Sequence, residues 1–281
     1  METARPRVMR KHVRQNGDPS LGERLRQGIF ITVGSRLSFP AGSISISIDD
    51  EGVVKSSITA IELSREMTPV WLELALEHLS QAGQDHATLL EALESDDDAA
   101  IASALEAELR SGMQAMIASA TAVDALYASA KDRVSIPPSL TKRWRQNGTA
   151  RWRQVAEVLR RAFLLKPGAF VDQMRTALRE IYRFRDMAVH PSAKSAGVVL
   201  HPDLGQGTDW RFVAFSHASA TVHVWLSLAF IFKLVSRDVP REAVAARDWR
   251  LGLLGQIKPL ADRWETGYGS LDDNPAAPGS A

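Results

Sequence analysis

One helix with a fixed stop constrains this chain more than any other stretch. Phe170, Met174, Leu178, Ile181 and Tyr182 share one stripe at helical spacing, which predicts an amphipathic helix with that face buried. Pro191 has no N–H, and its ring pushes His190 out of the α region, so the helix must end at His190. Arg185 and Val189 continue the apolar line, which places a guanidinium at the rim of a core face. The stretch thus ends with an arginine near a helix terminus, Asp186 beside it and a histidine at the break. A fixed cation beside an imidazole that titrates near neutrality is a chemically useful pair for binding phosphate and moving a proton.

The periodicity of the remaining sequence divides the chain. Residues 1–27 are rich in Arg, Lys and Gln with little pattern and read as a loose arm or a short frayed helix. Gly28–Val33 is a short β-prone run, and Ser43–Ile48 alternates strictly, which places Ile44, Ile46 and Ile48 on one face of a half-buried strand. Asp49–Gly52 is a turn from which Val53–Ile58 pairs back. This antiparallel element of two or three strands is too small to stand alone and is expected to lean on helices.

Everything beyond it reads helical. Thr68-Pro69 opens one helix, and Ser95 followed by three aspartates caps a second that runs to about Lys131, with Leu105, Leu109, Met113, Met116, Ile117 and Leu126 facing inward. Residues 135–139 break it, Thr149 caps a third, and Lys166-Pro167-Gly168 ends that one before the motif helix. Residues 191–214 form a loop with extended pieces at Val198–Leu200 and Trp210–Val213. Helices at about 216–236 and 241–265 complete the set. The expected architecture is mostly α: a bundle of four to six helices over residues 64–266, an arm with a small β element over 1–63, and a disordered tail over 267–281.

Composition narrows the class of protein. Cysteine is absent, which removes disulfides, thiolate metal sites and a cysteine nucleophile and agrees with a reducing compartment. No apolar segment follows Met1–Arg7 as a secretory signal requires. The most apolar run, Val224–Phe232, falls short of the roughly 20 residues a membrane span needs, so it reads as a buried helix. The expectation is a cytoplasmic protein with no membrane association. A net charge of +1 conceals segregation: Lys142–Arg185 holds twelve Lys and Arg against three acids, whereas Glu91–Glu108 holds seven acids and no base.

The string Arg185-Asp186-x-x-x-His190-Pro191 resembles the signature of the HEPN superfamily, in which Arg and a polar neighbour precede His by four to six positions. Arg5 or Arg7 with His12, Arg183 with His190, and Arg211 with His217 also satisfy the spacing. Context selects Arg185, through its polar neighbour, the helix before it and the helix-ending His-Pro after it. The resemblance implies a bundle of four or five helices and, for many members, a metal-independent ribonuclease of toxin–antitoxin or anti-phage type. An antitoxin or other partner protein accompanies such systems. The implied reaction is attack of a ribose 2′-hydroxyl on the adjacent phosphate, leaving a 2′,3′-cyclic phosphate and a 5′-hydroxyl. His190 would be its acid–base group, Arg185 its phosphorane-facing cation, and Asp186 would orient or charge the imidazole. Arg185 and His190 lie about 140° apart around an ideal helix, so they do not converge within one chain. Family members pair two motifs across one cleft, which implies a homodimer. Some members lack catalysis, so a non-catalytic RNA- or nucleotide-binding or scaffold module stands as the alternative. A plainer role is open too: Arg and His both complement the negative end of the helix dipole.

The basic block adds candidate RNA contacts. Lys142-Arg143-Trp144-Arg145 and Arg151-Trp152-Arg153 interleave cations with aromatics, a composition that suits stacking on unpaired bases. Trp144, Arg145 and Arg151 are the candidates there, with Trp152 assigned to the core stripe. Arg179 and Arg183, four apart on the motif helix, extend a phosphate track, although a solvated charged face would look the same. No metal site is expected: His78, His86, His201, His217 and His223 show no ligand spacing. Phosphate-loop, dinucleotide and serine-elbow motifs are absent from the sequence, and no cofactor is expected.

Overall fold

Asp97 turns the chain from one long helix into another. Its carboxylate accepts the N–H groups of Ala99 and Ala100 (3.0 and 3.2 Å), capping α2 (Asp98–Lys131) directly after α1 (Thr68–Ser95). The cap is therefore Asp97 and not Ser95, whose hydroxyl instead donates back to the Ala92 carbonyl within α1. In this computed structural model the described residues are 31–32, 35–95, 97–190, 197–239, 243–273 and 275. The chain divides into two compact units, residues 1–66 and 67–281.

The first unit contains four short strands among its described residues. β1 (Ser35–Ser38) pairs antiparallel with β4 (Glu62–Arg65), and the hairpin of β2 (Ile44–Ile48) and β3 (Val54–Ile58) lies between them in sequence. The turn forms as its residues dictate. Asp49 Oδ1 accepts the N–H groups of Glu51 and Val53, Gly52 supplies a φ of 78°, and Lys55 reaches Asp49 Oδ2 at 3.0 Å. The alternation puts Ile44, Ile46, Ile48, Val54 and Ile58 on one face of the ladder. That face is not half-buried as expected: Ile46 and Ile48 are 71% and 69% exposed. A two-stranded ladder has no layer of its own to cover one face. The arm over 1–27, and Gly28–Phe30 and Val33 of the β-prone run, lie outside the described residues.

The second unit is a helical bundle of eight helices among the described residues. α2, roughly 51 Å long at 34 residues, is its spine. Small buried residues along it, Ala115, Ala118, Ala120 and Ala122, let other helices approach closely. At Gly112 the approach is closest: a Cβ there would stand 2.0 Å from the carbonyl oxygen of Phe215. The sequence pattern does not reveal α3 (Pro138–Gln146), a nine-residue helix started by proline at its first turn within the expected break. α4 (Arg151–Ala162) follows with Ala150, not Thr149, at its cap position. It ends before Lys166-Pro167-Gly168, because Leu164 takes a left-handed φ of 49° and the Leu165 N–H bonds back to the Arg160 carbonyl at 2.8 Å.

α5 (Ala169–Val189) is the motif helix, and its buried residues are Val171, Met174, Leu178, Ile181 and Tyr182. Its stripe is as expected from Met174 to Tyr182; Phe170 is only half-buried beside the buried Val171, and Val189 is exposed although Met187 and Ala188 of the last turn still pack on the core. Pro191 lies outside the described residues. Beyond it, β5 (Val199–Leu200) pairs with β6 (Gly207–Thr208). Trp210–Val213 is helical rather than extended: Asp209 accepts the Arg211 N–H and starts α6 (Trp210–Ala214). α7 (His217–Ser236) carries the apolar run and packs against α1, α2, α5 and α8 (Val244–Tyr268). Among the described residues α7 alone is long and apolar enough to cross a membrane, and half of its most apolar window is buried in the bundle. The expected tail is structured at its start. α8 extends to Tyr268, and Leu271 is buried in the core with its carbonyl accepting the Trp225 indole N–H. Asn274 and residues 276–281 lie outside the described residues, as does Arg241 at the expected start of α8.

Candidate functional site

Asp124 is the hub around which the motif arginine is placed. It projects from the C-terminal third of α2 between the buried Val123 and Leu126, so a partly buried carboxylate must find donors. It finds them on two other helices. Oδ1 accepts the Tyr182 hydroxyl at 2.7 Å and Arg151 Nη2 and Nε at 2.8 and 3.1 Å; Oδ2 accepts Arg185 Nη1 at 3.2 Å. Arg151 stacks over Tyr127 (4.0 Å to the ring centroid) and Arg185 over Tyr182 (5.3 Å). Burial, reinforced by the Asp124 charge, pushes the Tyr182 phenol far above its ordinary pKa, so it stays a donor throughout the physiological range.

The candidate catalytic residues separate into two settings. Asp186 Oδ1 lies 3.2 Å from Arg185 Nε, so its carboxylate serves the arginine. Two guanidiniums, Arg151 and Arg185, thus face two carboxylates, Asp124 and Asp186. Arg185 Nη2 takes no protein acceptor among the described residues. His190 sits past the last turn with φ −121° and ψ 67°, and its N–H donates to the Asp186 carbonyl at 2.9 Å. The imidazole is exposed and has no side-chain partner among the described residues.

The candidate RNA contacts are likewise divided. Arg151 belongs to the Asp124 hub. Arg183 pairs with Glu180 (3.1 Å) and lies over Phe184 (4.7 Å). Arg145 and Arg179 are exposed and have no side-chain partner among the described residues. Trp144 is half-buried and lines a cleft of about 470 Å³ where α3, α4 and α5 meet. Leu140 and Arg143 of α3, Trp152 and Arg153 of α4, and Arg175 of α5 line it as well. Glu157 is the carboxylate of the lining and is already bound by Arg160 and Arg161 at 2.9 and 2.7 Å. Hydrogen bonds from Arg160 and Arg161 outweigh its burial and hold its pKa down to about 2. Trp152, assigned to the core from sequence, packs on the core and borders the cleft at once.

Sequence reasoning missed Asp124 and Tyr127. Their one signal is a lone acid inside the apolar stretch Ala120–Tyr127, which predicts a carboxylate that must be paired in the fold. It also missed Glu108, whose buried Oε1 accepts the His217 N–H at 2.7 Å and lies 3.3 Å from His86 Nδ1. Among the described residues no cluster of three or more His, Asp or Glu has the geometry to hold a metal ion. No family model, curated protein or solved structure matches the chain.

Proposed function

We propose that the chain is a metal-independent endoribonuclease of toxin or anti-phage type, cutting RNA by 2′-hydroxyl transesterification at a site composed from two copies. The observation that carries this reading is the pairing of a held cation with an imidazole that has no side-chain partner among the described residues, both at one helix end. Asp124 and Asp186 fix Arg185 but leave Nη2 without an acceptor among the described residues, and five residues on His190 is exposed. Arg185 then offers a fixed donor to a phosphorane and His190 an imidazole to carry the proton, with the second motif supplied across the dimer axis.

One observation favours the alternative, a non-catalytic RNA- or nucleotide-binding or scaffold module. The charge of Arg185 is matched by two carboxylates, and among the described residues nothing orients the His190 ring. The deciding experiment is cleavage of single-stranded RNA in excess EDTA, followed alongside thermal melting. The ribonuclease reading requires cyclic-phosphate products, intact DNA, and rates lowered about 10²- to 10⁴-fold by His190→Ala or Arg185→Ala with unchanged melting. Cleavage that persists in both variants, or no cleavage by the wild-type dimer, overturns it.

A further inference from the structure

The cleft between α3, α4 and α5 brings together the two cation–aromatic strings of the basic block, which are separate in sequence. Trp144 comes from the first and Trp152 from the second. Both indoles are half-buried against the core, which fixes them, and neither indole N–H has a protein acceptor among the described residues. Arg143 and Arg153 stand beside them with no carboxylate partner among the described residues; Arg153 lies over the Trp152 ring at 5.0 Å. The other lining cations are spoken for, Arg161 by Glu157 and Arg175 by Asp172 at 3.3 Å. The cleft therefore offers two aromatic side chains, two guanidiniums without a carboxylate partner among the described residues and a volume within the usual range for a small organic ligand. Aromatic faces recognise the π-face of any base, and a guanidinium binds phosphate through paired donors.

We infer that this cleft binds a nucleotide, its base stacked against Trp144 or Trp152 and its phosphate held by Arg143 and Arg153. A free mononucleotide and one residue of an RNA single strand share that chemistry. Arg175 of the cleft precedes Arg185 by ten residues, roughly 15 Å along α5 and about 80° around it, so a strand that serves both must turn around the helix as it runs toward the motif. That role as a substrate subsite rests on the ribonuclease reading; occupation by a nucleotide does not.

The test is fluorescence anisotropy of a labelled RNA decamer on the full chain carrying His190→Ala, with unlabelled decamer, AMP and inorganic phosphate as competitors. Trp144→Ala should weaken binding about 5- to 150-fold, the range expected for one stacked base, and Trp144→Phe should restore most of it. Arg143→Gln with Arg153→Gln should make binding less salt-dependent, by a slope of about 0.7 for each lost phosphate contact. A decamer far tighter than AMP identifies a strand, and equal affinity a free nucleotide; either supports the site. Competition by phosphate as strong as by AMP would overturn it, as would affinity unchanged in both Trp144→Ala and the folded double arginine variant. If cleavage is never observed but these substitutions weaken binding, the site stands and the ribonuclease reading falls. If cleavage occurs and they change nothing, the reverse holds.

Discussion

Removing Asp124 tests whether the motif arginine is placed by a hub or merely lies near it. Its side chain is 27% exposed, that of Arg185 26% and that of Arg151 42%, so the ion pairs lie between the surface and buried regimes. Released guanidiniums at those exposures regain much of their hydration, and each pair is worth up to about 1 kcal/mol. Tyr182 differs, because it is buried and its 2.7 Å bond goes to an ionised acceptor. Stranding that hydroxyl costs about 1–3 kcal/mol. Asp124→Ala should therefore lose roughly 3 kcal/mol, or on the order of 6–12 °C in Tm for a bundle of this size. Asp124→Asn keeps an oxygen for the phenol and should lose only about 1 kcal/mol, the ionic part. Urea denaturation of wild type, both variants and Tyr182→Phe measures the terms, and the double-mutant cycle with Tyr182→Phe isolates the phenol. Equal losses for Ala and Asn, or additivity within about 0.3 kcal/mol in the cycle, would refute the hub.

Two further outcomes follow from burial. Gly112→Ala drives a methyl group into the Phe215 carbonyl, so α2 must part from the α6–α7 turn at a cost of about 3 kcal/mol; calorimetry should show the loss, whereas Gly255→Ala, with open space at its Cβ, should not. His223 is buried edge-on against Phe184 (3.8 Å between centroids), and burial lowers its pKa to about 4. The unfolded chain therefore binds the extra proton first: the contribution is complete above about pH 6.5 and lost as pH falls toward 4, worth up to about 3 kcal/mol, and His223→Leu should flatten urea midpoints over that window.

Much of the bundle was legible because its signals are local. The 3.6-residue stripe of α5, the proline after His190 and the Thr68-Pro69 start of α1 are each signals confined to a turn or two of sequence, and the helices they mark are present. Misplaced boundaries came from choices that sequence leaves open. Asp97 outcompetes Ser95 as a cap although both have the chemistry, and Leu164 ends α4 in a conformation leucine rarely adopts. The isoleucine strand failed differently. Alternation correctly located a strand with one apolar face, but periodicity states what could be buried and not whether anything covers it.

The same distinction governs the site. A spacing rule finds Arg185 and His190 because they lie five residues apart, but what occupies the guanidinium comes from Asp124, 61 residues away on another helix. No short motif carries that information. The basic block behaves in reverse: its composition named the chemistry, whereas only packing decides which cations remain free to use it. Arg151 and Arg153 are two residues apart on one helix; the first is bound into the Asp124 hub, while the second, beside Trp152, faces the cleft without a carboxylate partner among the described residues. Sequence therefore ranks residues by what they can do, and the fold subtracts those whose capacity is already used. By that subtraction Arg143 and Arg153, without carboxylate partners among the described residues, are left beside Trp144 and Trp152 between α3, α4 and α5, and a search for the ligand begins there.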